Sequence, residues 1–107
     1  MITLKIKPLS VNEAWQGKRY KTNKYKKYID DMLKILPDMK VENTKLQLNI
    51  EFGFSSKLSD IDNGIKQFGD CLVKKYGVDV RNIYRLEVDK VIVKKGVEYI
   101  KFKIFAI

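Results

Sequence analysis

Histidine is absent from these 107 residues, and cysteine occurs once, as Cys71. Without an imidazole there is no Ser-His-Asp or Cys-His nucleophile, no histidine metal ligand and no imidazole base. One cysteine cannot close an internal disulfide or build a multi-cysteine zinc site. No apolar run approaches the roughly 18 residues of a membrane-spanning helix, so no span is expected. The amino-terminal "MITLKIKPLS" alternates and lacks the apolar core of a secretory leader, which predicts a cytosolic protein. Chemistry in such a chain falls to carboxylates, lysines, tyrosines or a hard metal ion.

Acidic residues are also scarce: 13 stand against 22 lysines and arginines, a formal charge of +9. That balance suggests a polyanionic partner, most simply nucleic acid, or else a solubilising surface. Composition alone does not separate the two. The cations are not spread evenly. "KRYKTNKYKK" (18–27) holds Lys18, Arg19, Lys21, Lys24, Lys26 and Lys27 with no acid. Such cations neutralise phosphates and release counterions, and Tyr20 and Tyr25 can stack on bases or pack against sugars. The alternative is a solvated loop with Tyr25 in the core.

Length bounds the chain to one domain, residues 1–107. "ITLKIKP" alternates apolar and polar positions and reads as a strand. "LSVNEAWQGKRYKTN" lacks periodicity and reads as a loop. "KYKKYIDDMLKIL" repeats at helical spacing until Pro37 stops it. "KLQLNIEFGF" is the clearest strand. Ile61, Ile65, Phe68, Leu72 and Tyr76 then form one helical stripe, predicting a helix from Asp60 to about Tyr76, capped by Ser59 or Asp60 and ended at Gly77. "IYRLEVDKVIV" and "VEYIKFKIFAI" flank Gly96 and read as a hairpin. The expected fold is α+β, in the order β-α-β-α-β-β, a mixed sheet with both helices on one face.

"LSDIDNGIKQFGD" (58–70) is where chemistry concentrates. Two carboxylates about 4 Å apart at an effective dielectric of about 20 repel by about 4 kcal/mol, so Asp60 and Asp62 raise the question of a cation. A calcium loop does not fit: with Asp60 first, Gly64 falls at position five and Cys71 at twelve, where glycine belongs at six and glutamate at twelve. In a helix, Asp60 and Asp62 would sit in the first turn, favoured by its unpaired N–H groups. Asp62, Lys66 and Asp70 would then follow at i, i+4 and i+8 as a polar stripe. One account is a capped helix with a surface ion pair. The other is a magnesium site, in which carboxylates, waters and phosphate oxygens surround the ion and a lysine offsets developing charge.

The order "PLSVNEAW…GKRYKT", "DIDN…K…D" and "VDVRNI" before the last two strands resembles the RusA family of Holliday junction resolvases, over nearly the whole chain. Asp60, Asp62, Asn63, Lys66 and Asp70 match the most specific run, and Pro8, Ser10 and Asn12 a weaker one. The resemblance implies a bacterial or phage-encoded, Mg2+-dependent endonuclease of DNA recombination and repair. It implies a homodimer that nicks four-way DNA junctions symmetrically. Asp60 and Asp62 would be metal ligands, and Lys66 an essential cation. The family carries two adjacent acids before the last strands; here Asp79 matches the first and Val80 replaces the second. Either Asp79 becomes the third catalytic and metal-ligating acid, or the site is weakened. The rival classes are a non-catalytic junction- or duplex-DNA-binding protein and a sheet-based RNA-binding module. The latter's aromatic strand signature is missing from "LQLNIEFGF".

Overall fold

The structure, a computed structural model, describes residues 1–16 and 20–107. Leu46, Leu48, Ile50, Phe52 and Phe54 alternate with polar residues or glycine and are all buried, while Gln47, Asn49 and Glu51 are half-exposed. This strand, β4 (Leu46–Phe54), is paired on both sides. The chain reaches it through β1 (Ile2–Leu4), a one-turn helix α1 (Val11–Ala14), a short ribbon of β2 (Trp15–Gln16) and β3 (Tyr20–Lys21), and helix α2 (Asn23–Ile35). Beyond it come helix α3 (Ile65–Tyr76), a 3-10 turn (Val80–Asn82), β5 (Ile83–Ile92) and β6 (Tyr99–Ala106).

The main sheet has the order β1-β6-β4-β5. β6 is antiparallel to β1 and β4, and β5 is parallel to β4. The result is the expected mixed α+β domain, with α2 and α3 packed together over the buried face. Tyr25 and Met32 of α2, Phe68 and Leu72 of α3, and Ile100 and Phe102 of β6 fill the core with the β4 side chains. The Phe68 and Phe102 rings meet edge-to-face at 5.2 Å, a favoured aromatic geometry. Among the described residues no helix is long and apolar enough to cross a membrane.

Helix α2 follows the sequence reading closely. Thr22 caps it, its hydroxyl accepting from Tyr25 N–H at 3.1 Å, and Pro37 lies just beyond its end. Three expectations change. The last two strands are not a hairpin, because β4 lies between them. Val93 N–H donates to the Phe54 carbonyl at 2.8 Å, and the segment through Gly96 carries the chain over the end of β4. Alternation reports which face a residue takes, not which strand is its neighbour.

The second change is in α3, which starts at Ile65 rather than Asp60. Residues 61–64 form turns instead, with Asn63 N–H to the Asp60 carbonyl at 3.1 Å and Ile65 N–H to the Asp62 carbonyl at 3.3 Å. Asn-Gly chemistry favours such turns and overrides the apolar stripe; Ile61 is accordingly exposed. Third, the segment read as a loop contains α1. Ser10 caps it, its Oγ accepting from Glu13 N–H at 3.3 Å and donating to Glu13 Oε1 at 3.1 Å. S-x-x-E is the spelling of a capping box.

Asp70 accepts from the buried Tyr25 hydroxyl, tying α2 to α3. Cys71 beside it is buried, and burial, with Asp70 adding to it, pushes the thiol up to about 12. It therefore stays protonated and unreactive at neutral pH.

Candidate metal and DNA site

After Phe54 the chain turns through Ser55, Ser56 and Ser59, which line a cleft, and reaches Asp60. Leu58 N–H donates to Ser56 Oγ at 3.2 Å, and Lys90 Nζ of β5 donates to the Ser59 carbonyl at 2.8 Å. The loop is thereby tied to the sheet just before the two aspartates. Asp60 and Asp62 are exposed, so water screens their mutual repulsion. Among the described residues neither makes a salt bridge.

The turn closes inward at Gly64. A Cβ there would come within 3.1 Å of the Phe52 ring, so only glycine seats the turn on the core without moving that ring. Asn63 then faces a cavity of about 200 Å3 shared with Lys7, Pro8, Ser10, Phe54 and Ser59. Pro8 and Ser10 belong to the amino-terminal element of the sequence, and Asn63 to the acidic run. The fold brings these distant segments to one cleft, with Glu13 and Glu98 also on its wall. Sequence reasoning missed Lys7, Ser55, Ser56, Ser59 and both glutamates as cleft residues; only the S-x-x-E spelling at Ser10 and Glu13 left a local signal.

Lys66 lies in the first turn of α3 and lines a second groove with Asp70, Gly69, Val80, Ile83 and Leu86. The expected Asp62–Lys66–Asp70 stripe is thus split. Lys66 and Asp70 share the groove, whereas Asp62 precedes the helix.

Among the described residues Asp60, Asp62 and Asp79 do not form a three-carboxylate group able to hold a metal ion. Asp79 caps the 3-10 turn, accepting from Arg81 N–H at 2.9 Å and from the Arg81 guanidinium at 2.8 to 3.2 Å. The Arg81 hydrogen bonds hold its carboxyl below the usual range. Among the described residues no three carboxylate or thiol side chains form a group able to hold a metal ion. Asp79 is engaged by the arginine two residues on, and the position that faces the groove is Val80.

Of the basic segment, Lys18 and Arg19 lie outside the described residues. Lys21 Nζ sits 5.2 Å from the centre of the Tyr25 ring. Lys24 lies 3.6 Å from Glu13, and Lys27 lies 2.9 Å from Asp31. Lys26 is exposed. The acid-free stretch thus meets acids in space, but exposed pairs of this kind are weak and release their cations to a phosphate at little cost.

No model of a known protein family matches the chain, and no curated protein matches it.

Proposed function

We propose that this protein is a Mg2+-dependent endonuclease that cuts four-way DNA junctions as a two-fold dimer, in recombination and repair inside a bacterial cell or under a phage. The observation that carries this reading is the convergence of Pro8 and Ser10 with Ser59 and Asn63 on one cleft, beside Asp60 and Asp62. Two exposed carboxylates next in sequence to the cleft residues Ser59 and Asn63 fit a hard cation that takes one or two acidic ligands and completes its shell with water and phosphate. Asp60 and Asp62 would hold it, and the bound ion would neutralise charge on the scissile phosphate. Lys66, in the first turn of α3, would offset charge on the departing oxygen. Asn63 and the serines orient the phosphate by hydrogen bonds. Lys21, Lys24, Lys26 and Lys27, with Lys18 and Arg19, hold the DNA backbone.

The deciding experiment incubates the purified protein with an end-labelled four-way junction and with matched linear duplex, with and without Mg2+. Paired nicks near the crossover that require Mg2+ support the reading; no cleavage of either substrate overturns it. The specific observation behind the alternative, a DNA-binding protein with a lapsed site, is the Asp79–Arg81 pairing beside Val80. Under the endonuclease reading, Asp79→Asn is expected to leave nicking nearly unchanged, because that carboxylate is spent on its own turn. Loss of nicking in Asp79→Asn would return it to the metal site.

Binding has its own signature. Junction affinity is expected to fall with salt, with a log–log slope of about −0.9 per phosphate neutralised. Replacing Lys21 and Lys26 by alanine is expected to make that slope shallower by roughly 1 to 2. A slope that does not move would show that neither lysine touches DNA.

A further inference from the structure

Leu58 is 92% exposed, more than any other large apolar side chain among the described residues. Surface leucines scattered singly are ordinary, and one on an untethered tip would need no account. This one is held outward. Its N–H donates to Ser56 Oγ at 3.2 Å, and Ser59 N–H donates to the Ser56 carbonyl at 3.2 Å. Lys90 Nζ of β5 fastens the Ser59 carbonyl at 2.8 Å. The backbone is thus fixed on both sides of the leucine. Ser56 and Ser59 line the cleft, whereas Leu58 between them does not. Lys57 precedes it, exposed and in no salt bridge among the described residues, and the exposed Asp60 and Asp62 follow it. An apolar tip therefore stands in the chain between a cation and the two proposed metal ligands.

We propose that Leu58 is the wedge by which this protein tells branched DNA from plain duplex, entering the base stack where strands change partners. This role rests on the endonuclease reading and adds to it the residue that selects the shape of the substrate. Leucine is among the side chains that DNA-bending proteins insert between base steps. Covering a leucine so exposed gains about ten- to a hundredfold in an equilibrium constant. Within a continuous duplex, parting two stacked pairs takes back a gain of that size. Where the stack is already interrupted little is left to part, and the gain remains. The same side chain is therefore worth little on duplex and much at a branch point. Lys57 meets the backbone phosphate beside the entered step. Asp60 and Asp62, two and four residues on, follow the wedge along the chain to the strand that is cut. Other occupants fit the tip less well. One leucine is too small for the apolar core of a protein interface. An anionic lipid surface attracts Lys57 but repels both aspartates.

The test measures binding without Mg2+, so it needs no cleavage. The full chain is titrated onto a four-way junction and onto a linear duplex of the same arm sequence. Each carries a fluorescent adenine analogue that brightens when unstacked, placed at the crossover or at its duplex counterpart. The parent is expected to brighten the junction probe and not the duplex probe. Leu58→Ala is expected to lose that signal and about tenfold in junction affinity while keeping its duplex affinity. Leu58→Phe, another apolar wedge, is expected to keep both signal and preference. Urea midpoints are expected to match, because the tip's hydrogen bond uses the backbone of Leu58. Parental preference in Leu58→Ala, or an equal loss on both DNAs, overturns the proposal. So does a parent that does not prefer the junction. So does Leu58-dependent binding to phosphatidylserine–phosphatidylcholine vesicles with DNA binding unaffected. A parent that cuts junctions, and whose Leu58→Ala form binds them equally well, defeats the wedge alone. Leu58-dependent preference without any cutting in Mg2+ defeats the endonuclease reading alone.

Discussion

Asp62→Asn is expected to lose junction cleavage by at least about a hundredfold while binding the junction as tightly as the parent, or slightly more so. A metal ion at a reacting phosphate supplies several kcal/mol of charge stabilisation, and each 1.36 kcal/mol is tenfold in rate. Asparagine keeps the shape of aspartate but not its charge. The substitution therefore removes half of the proposed acidic pair and leaves the lysines in place. Affinity holds because one negative charge fewer stands beside the phosphates. Folding holds too: Asp62 is exposed, and its structural contact is its backbone carbonyl, which accepts from Ile65 N–H at 3.3 Å. Equal urea midpoints for parent and variant would exclude misfolding as the cause. Single-turnover nicking at saturating protein separates cutting from binding. An Asp62→Asn protein that nicks at the parental rate removes Asp60 and Asp62 from the chemistry, and the cleft would then have to act without them.

Which parts of this molecule were legible in its sequence follows from how local each signal is. The faces of β4 and α2 were legible because apolar period and Thr22–Pro37 punctuation depend only on neighbours along the chain. The pairing of β5 and β6 was not, because alternation around Gly96 suits a hairpin and a crossing of the end of β4 equally well. The α3 start was misplaced for a related reason. Ile61 continues the apolar period back from Ile65, yet Asn63-Gly64 makes a tighter local bargain and seats the turn on Phe52. Asp60, Asp62 and Lys66 were recognisable as a pattern. Their separation into a turn and a helix depends on that seat. Asp79 was read from a family resemblance, which carries no information on local partners such as Arg81, two residues on.

Phe52→Ala is expected to cost about 3 to 5 kcal/mol, the range for emptying a buried phenylalanine site. For a domain whose whole stability is about 5 to 15 kcal/mol, that leaves a marginal fold. Phe52 is fully buried, stacks on Phe54 with ring centroids 5.5 Å apart, and pairs across the sheet with Lys90 and Ile100. The melting temperature is expected to drop by more than about 10 °C, with the urea midpoint lowered and the m-value kept. Phe52→Leu, which refills most of the space, is expected to lose much less. A Phe52→Ala protein that melts like the parent would place the ring outside the core. The same ring links stability to the site, because the Gly64 turn closes onto it. Gly64→Ala is expected to destabilise the parent, since its methyl would arrive 3.1 Å from the ring. In the Phe52→Ala background it is expected to cost little, the methyl entering space the ring has vacated. That non-additivity, measured as a double-mutant cycle, isolates the contact that seats the turn after Asp60 and Asp62 on the core.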